Sequence, residues 1–209
     1  MTLEEFNSLM ANRSAPVVLV EGTRNLPESD TAKLVQFGKW LAETYPRVIF
    51  RTGNAKGSDE AFANGVGEVD PARIQYVVPY AGHRRKAIGH GSYQVALNGM
   101  SSLDAERIAE RTVKASPQYG EWRVKRDTVP SLRAKMDYIL RDTLKVMGAL
   151  ESNISRAIAG IFYVNPDDPM KGGTGHTIRV CRDLGVPVAF QDEWMKWPMK
   201  HGGAADDEL

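Results

Sequence analysis

Apolar residues along this chain fall into short continuous runs separated by segments with helical spacing. The runs at 17–20, 47–50, 74–78, 157–164 and 186–190 have the pattern of strands buried on both faces. Between the first two, Leu34, Phe37 and Leu41 repeat at helical spacing and predict a helix over 31–44, with Ser29 or Asp30 placed to cap it. A second helix is expected to start at Gly57-Ser58-Asp59 and to stop near Gly65-Val66-Gly67. Further helices are expected over 103–114 and 131–150, the latter capped by Ser131 after Pro130. The last helix carries Ile178, Val180, Cys181 and Leu184 and ends at Gly185. Residues 81–100 and 116–130 show no clear periodicity and read as loops, and the tail from 198 to 209 reads as disordered.

Strand alternates with helix in this reading. That order predicts an α/β fold, a Rossmann-like open and mostly parallel sheet with helices on both faces. A length of 209 residues suits one such domain over 1–197. In open sheets of this kind, ligands sit beyond the carboxyl ends of the strands. Candidate chemistry is therefore sought in the segments that follow strands.

Three such segments stand out. After the first strand comes Glu21-Gly22-Thr23-Arg24, where glycine permits close backbone approach, a hydroxyl can bond a phosphate or ribose, and arginine can clamp an anion. After the second comes Thr52-Gly53-Asn54-Ala55-Lys56-Gly57-Ser58-Asp59-Glu60, a strand-to-helix turn with two glycines and a cation. After the run at 157–164 comes Gly172-Gly173-Thr174-Gly175-His176-Thr177, read as a loop leading into a helix and suited to cradling a phosphate. Each alone could be turn geometry. Together they predict a crevice for a nucleotide or another phosphate-bearing small molecule. None matches the phosphate-loop pattern of nucleoside triphosphatases or Gly-x-Gly-x-x-Gly after the first strand.

Charge adds a second candidate. The net charge is +1, but residues 80–150 hold 13 Lys and Arg against 7 Asp and Glu. That basic segment could meet single-stranded DNA, or it could be solvated helix surface. Within it, Arg141 is a candidate clamp facing the crevice, and His83-Arg84-Arg85-Lys86 is a basic cluster. The four histidines and the single Cys181 show no metal spacing, so neither a metal nor a cofactor is expected. His176 could touch ligand or pack at the helix start, and Cys181 reads as a core residue. No apolar run is long enough to span a membrane, and a reducing, cytoplasmic setting is expected. Trp194 and Trp197 would pack on the sheet or at a subunit contact, and a homodimer or higher homo-oligomer is expected.

The turns Gly53-Asn54-Ala55-Lys56-Gly57-Ser58-Asp59-Glu60 and Gly172-Gly173-Thr174-Gly175-His176-Thr177, with Gly22-Thr23-Arg24 before them, resemble the superfamily joining the DNA-processing protein DprA to the Lonely-guy cytokinin-activating enzymes (SLOG). The resemblance is nearest to its DprA-like and YpsA-like bacterial and phage members. It implies a Rossmann-like fold that binds a nucleotide, a nucleotide-derived ligand or nucleic acid. Lonely-guy enzymes carry Pro-Gly-Gly-x-Gly-Thr-x-x-Glu, whose glutamate drives cleavage of an N-glycosidic bond. Aligned on Gly172-Gly173-Thr174-Gly175, this chain has Lys171 at the proline position and Ile178 and Arg179 at the acidic positions. A phosphoribohydrolase would need another carboxylate, for which Glu21, Asp59 and Glu60 are the candidates.

Overall fold

The computed structural model describes residues 1–125 and 128–199. Residues 200–209, which make up most of the segment read above as a disordered tail, lie outside the described residues. In chain order the elements are α1 (Leu3–Met10), β1 (Val17–Gly22), α2 (Glu28–Thr44), β2 (Ile49–Thr52), α3 (Ser58–Val69), β3 (Ile74–Val78), β4 (Tyr93–Ala96), α4 (Ser102–Ala115), α5 (Gly120–Lys125), α6 (Pro130–Met147), β5 (Ala159–Tyr163), α7 (Gly172–Asp183), β6 (Val188–Phe190) and α8 (Gln191–Trp194). The six strands form one sheet in the order β4-β3-β2-β1-β5-β6, with every pairing parallel. The α/β, Rossmann-like open sheet is thus the fold of the chain.

The alternation of side chains along a strand decides what each helix layer covers. Val18 and Val20 of β1, Phe50 of β2 and Ile161 of β5 enter one core, together with Phe37 of α2, Phe62 of α3 and Trp194 of α8. Val17 and Leu19 point the other way, into a core with Phe162 of β5 and Ile178 and Cys181 of α7. Beside it, Val77 and Val95 pack under Ile108 of α4 and Leu140 and Leu144 of α6. Glu21 continues the odd-numbered set of β1 and so faces α6. Arg51 of β2 does likewise, and its guanidinium donates to the carbonyls of Lys145 at 2.7 Å and Ser155 at 2.8 Å.

Several boundaries differ from expectation for identifiable reasons. The second strand covers 49–52 rather than 47–50. Val48 is taken up in a turn, donating to Tyr45 O at 3.1 Å, while the polar Arg51 is a fully buried strand residue. The strand β4 lies within a segment expected to be loop, and it carries no strand pattern because only its Val95 is buried and it lies at the sheet edge. The helix α1 is an element beyond those expected, and Thr2 and Glu5 form a capping box at its start. Ser29 and Asp30 lie inside α2, whose N-cap position is Pro27, and Asp30 instead accepts from Tyr163 Oη at 2.5 Å. Ser131 likewise lies inside α6, which opens with Pro130 after Val129. Trp194 and Trp197 are buried in the chain's own aromatic core, so they offer no exposed surface to a second subunit. No helix among the described residues is long and apolar enough to cross a membrane.

Candidate functional site

Between β1 and β5 the chain reverses its direction of travel across the sheet. After β1 it crosses to α2 on one face, and after β5 it crosses to α7 on the other. The two departing segments leave a crevice at the carboxyl ends of these strands, the usual place for a ligand in an open α/β sheet. A cleft of about 520 Å³ lies there. Its walls come from residues 21–25, the end of β1 and the turn that follows it, from Lys171, Gly172, Gly173 and Thr174 at the start of α7, and from Arg141, Asp142 and Lys145 of α6. Ala55 and Asp59, and Asn165, Asp168 and Pro169, complete the lining.

The segment Gly172 to Thr177 is the opening of α7 itself and not a loop before it. The correction matters, because first-turn N–H groups have no partner within the helix and point toward an anion placed at its end. Helical rotation then separates the six residues. Gly172, Gly173 and Thr174 line the cleft. The Thr174 hydroxyl donates to Gly22 O at 2.9 Å, tying the two walls together. Gly175 packs against Met170, where a Cβ would lie 1.8 Å from the carbonyl oxygen. Thr177 donates back to Gly173 O at 3.1 Å. His176 is buried between Ser116 Oγ at 2.8 Å and Thr143 Oγ1 at 2.9 Å, outside the cleft lining. Burial lowers its pKa to about 4, so it is neutral at physiological pH.

The turn after β2 works mainly as a brace. Asp59, in the first turn of α3, accepts from the N–H groups of Gly22 at 3.2 Å, Gly53 at 3.0 Å and Ala55 at 3.2 Å. Ser58 Oγ donates to Thr23 O at 2.9 Å, and Gly57 lies so close that a Cβ would meet the carbonyls of Thr23 and Arg24 at 2.6 Å. Gly53 accepts from Arg141 Nη1 at 2.9 Å, which places Arg141 in the crevice wall as expected. Asn54 bonds the backbone of His83, Lys56 is exposed, and neither lines the cleft. Glu60 pairs with Arg84 at 3.3 Å, away from the crevice. Of the three candidate carboxylates, Asp59 is committed to backbone donors and Glu60 to a surface pair. Glu21 alone combines a place in the lining with an uncommitted oxygen.

Glu21 belongs to a buried charge cluster. Lys145 Nζ bonds Glu21 Oε2 and lies 2.8 Å from Asp142 Oδ1, and Arg141 Nε stands 3.5 Å from the same Asp142 oxygen. Glu21 Oε1 is buried with no hydrogen-bond partner among the described residues. Desolvation pushes the Glu21 carboxyl up to about 7, against the pull of Lys145 and with added repulsion from Asp59 and Asp142. Burial opposes the charge on Lys145 too, yet Asp142 and Glu21 hold its pKa above the ordinary value. Burial also works against Asp142, and Arg141 and Lys145 outweigh it to keep the acid ionised. Asp142 and Lys145 are site residues beyond those expected from the sequence. Their signal was present as charged residues interrupting the apolar face of a long helix, next to Leu140 and Leu144.

Beyond Arg141 the wall continues into aromatic side chains. The guanidinium carbons of Arg24 and Arg141 lie 5.9 Å and 5.7 Å from the centre of the Tyr138 ring, and His83 meets the same ring edge-on at 5.5 Å. Several cations of the basic segment are ion-paired, Arg107 with Glu151, Arg111 and Lys114 with the one carboxylate of Asp183, and Arg123 with Glu106.

No protein-family model and no curated protein matches the sequence. Among solved structures, the chain is similar to the single-stranded-DNA-binding DNA processing protein A from Helicobacter pylori. The TM-score is 0.43 and the identity 13%, over 88% of this chain and 67% of that one. Fold and crevice define the chain as a Rossmann-like α/β protein with a polar cleft at the reversal point of its sheet.

Proposed function

We propose that the chain binds a nucleotide or nucleotide-derived phosphate ligand in the crevice between β1 and β5. The observation that carries this reading is the opening of α7 onto the cleft. Lys171, Gly172, Gly173 and Thr174 present a helix N-terminus there, opposite the Gly22-Thr23-Arg24 turn and beside Arg141 and Lys145. Backbone donors, a helix dipole and four cationic side chains, two arginines and two lysines, line one space, an arrangement suited to an oxyanion on a larger organic ligand.

Thermal-shift titration with AMP, ADP-ribose, NAD and short single-stranded DNA tests the reading, because a ligand held only by the folded chain raises Tm. A nucleotide-dependent rise that Arg24→Ala and Lys171→Ala weaken is the expected result. No rise with any nucleotide, together with a strongly salt-dependent rise with DNA, would move the function to the basic segment. Chromatography of each hit for free base and ribose 5-phosphate separates holding from N-glycosidic cleavage, for which Glu21 is the candidate acid.

A further inference from the structure

The two oxygens of Glu21 are in unlike circumstances. Oε2 is held by Lys145, which Asp142 shares. Oε1 is buried, in the last residue of β1 but one, whose side chain belongs to the cleft lining, and it has no donor or acceptor among the described residues. An unpaired buried polar atom is unfavourable in the empty protein and becomes satisfied if a ligand atom meets it. The ionisation state decides what kind of atom that can be. An ionised Oε1 would repel a phosphate oxygen, whereas a carboxylic acid O–H would donate to it.

Resting on the reading that a phosphorylated ligand occupies this crevice, we propose that Glu21 is its proton-carrying contact. Oε1 bears a proton in the complex and donates it to an oxygen of the ligand, so that ligand and one proton enter together. No covalent bond to the ligand changes. The proton comes from solvent and returns to it on release.

The groups around Glu21 set the balance on which this depends. From α6, Lys145 favours the ionised form and Asp142 opposes it. From α3, Asp59 opposes it as well. From α7, the Cys181 thiol is driven upward by burial and stays protonated, and His176, held between Ser116 and Thr143 within reach of the charges of Asp142 and Lys145, is neutral. From β5, the partner of Glu21 in the ladder is the apolar Phe162. Burial and the two carboxylates leave the Glu21 carboxyl at about 7, so a neutral and a charged form are both accessible near physiological pH. An anionic ligand adds a further charge that favours the neutral form.

Calorimetric titration of AMP into the full chain from about pH 7 to about pH 9 tests this, because a phosphate monoester has its second pKa near ~6 and keeps a constant charge across the window. In the wild type, Kd should weaken with pH by up to about tenfold per unit, and binding near pH 8 should take up close to one proton. Uptake is read from the heat in buffers of different ionisation enthalpy and needs no variant. Glu21→Gln, which carries a permanent donor and still offers Lys145 an acceptor, should bind AMP with a Kd that varies less than about twofold over the window. A flat wild-type Kd without proton uptake, or the same pH dependence in Glu21→Gln, would overturn the inference while leaving the crevice reading intact. Failure of both AMP and ribose 5-phosphate to bind near pH 6.5, where Glu21 is mostly protonated, would overturn both.

Discussion

The carboxylate of Asp59 accepts the backbone N–H of Gly53 at 3.0 Å, and through the same side chain it holds Gly22 and Ala55. One residue of α3 thereby joins the turns after β1 and β2. Asp59→Ala would leave three N–H groups without this acceptor. The expected loss is about 3 kcal/mol of stability, with Asp59→Asn intermediate, both read from the urea midpoint. An Asp59→Ala protein as stable as the wild type would show that water replaces the brace at no cost.

Lys145 stands between Glu21 and Asp142 with almost no solvent exposure. Lys145→Met would leave two carboxyl groups buried beside each other. Removing one partner of a buried ion pair typically costs about 3–5 kcal/mol. The loss should be larger near pH 8 than near pH 6, because Glu21 can take up a proton at the lower pH and relieve the repulsion. An equal loss at both values would mean that Glu21 does not titrate in this range.

Glu21 and His176 pull the pH dependence of stability in opposite directions. The folded pKa of Glu21 is raised from 4.5 to about 7, so its contribution is complete below 4.5 and disappears as the pH rises to about 7. That of His176 is lowered from 6.5 to about 4, so its contribution is complete above 6.5 and disappears as the pH falls to about 4. Between 4.5 and 6.5 the two oppose each other. Relative to wild type, His176→Gln should shift the slope of stability against pH downward in that window, and Glu21→Gln should shift it upward. Denaturant midpoints at a series of pH values check both signs, and identical slopes in all three proteins would refute the assignment.

Two glycines of α7 should lose stability to alanine for different physical reasons, Gly175 the more of the two. Gly175 has no room, since a Cβ would fall 1.8 Å from Met170 O, and Gly175→Ala must displace the segment before α7. A loss of at least about 1–3 kcal/mol is expected. Gly172 has open space but a φ of +62°, so its alanine variant meets only backbone strain of about 1–2 kcal/mol. Thermal melts rank the two. The reverse order would place the close approach elsewhere.

Much of the sheet was legible in the chain. The apolar runs at 17–20 and 74–78 coincide with β1 and β3 because interior strands of a parallel sheet must be apolar on both sides. The edge strand β4, with one buried residue, lacks that signature. Among the site residues, Glu21, Gly22, Thr23, Arg24, Asp59, Arg141, Gly172, Gly173 and Thr174 come together around the cleft. Gly53, Asn54, Lys56, Gly57, Ser58, Glu60, Gly175, His176 and Thr177 lie outside its lining, in bracing, packing or surface positions.

By itself the sequence determined the alternation of strand and helix, and with it the edge of the sheet where glycines, hydroxyls and charges accumulate. Those features depend on local patterning and on the few residues that tolerate tight turns. Tertiary structure alone decided which charges meet. Glu21 and Lys145 are 124 residues apart, and they pair because the odd-numbered face of β1 lies beneath α6. It also decided that α7 begins at Gly172, which sends the side chain of His176 into the packed layer with Ser116 and Thr143 while Gly172 and Gly173 face the cleft. A helix turns by about 100° per residue, so a shift of one or two residues in its start changes which side chains reach the ligand space. No local pattern in the glycine-rich stretch sets that phase. It follows from the packing of α7 against α6 and β5.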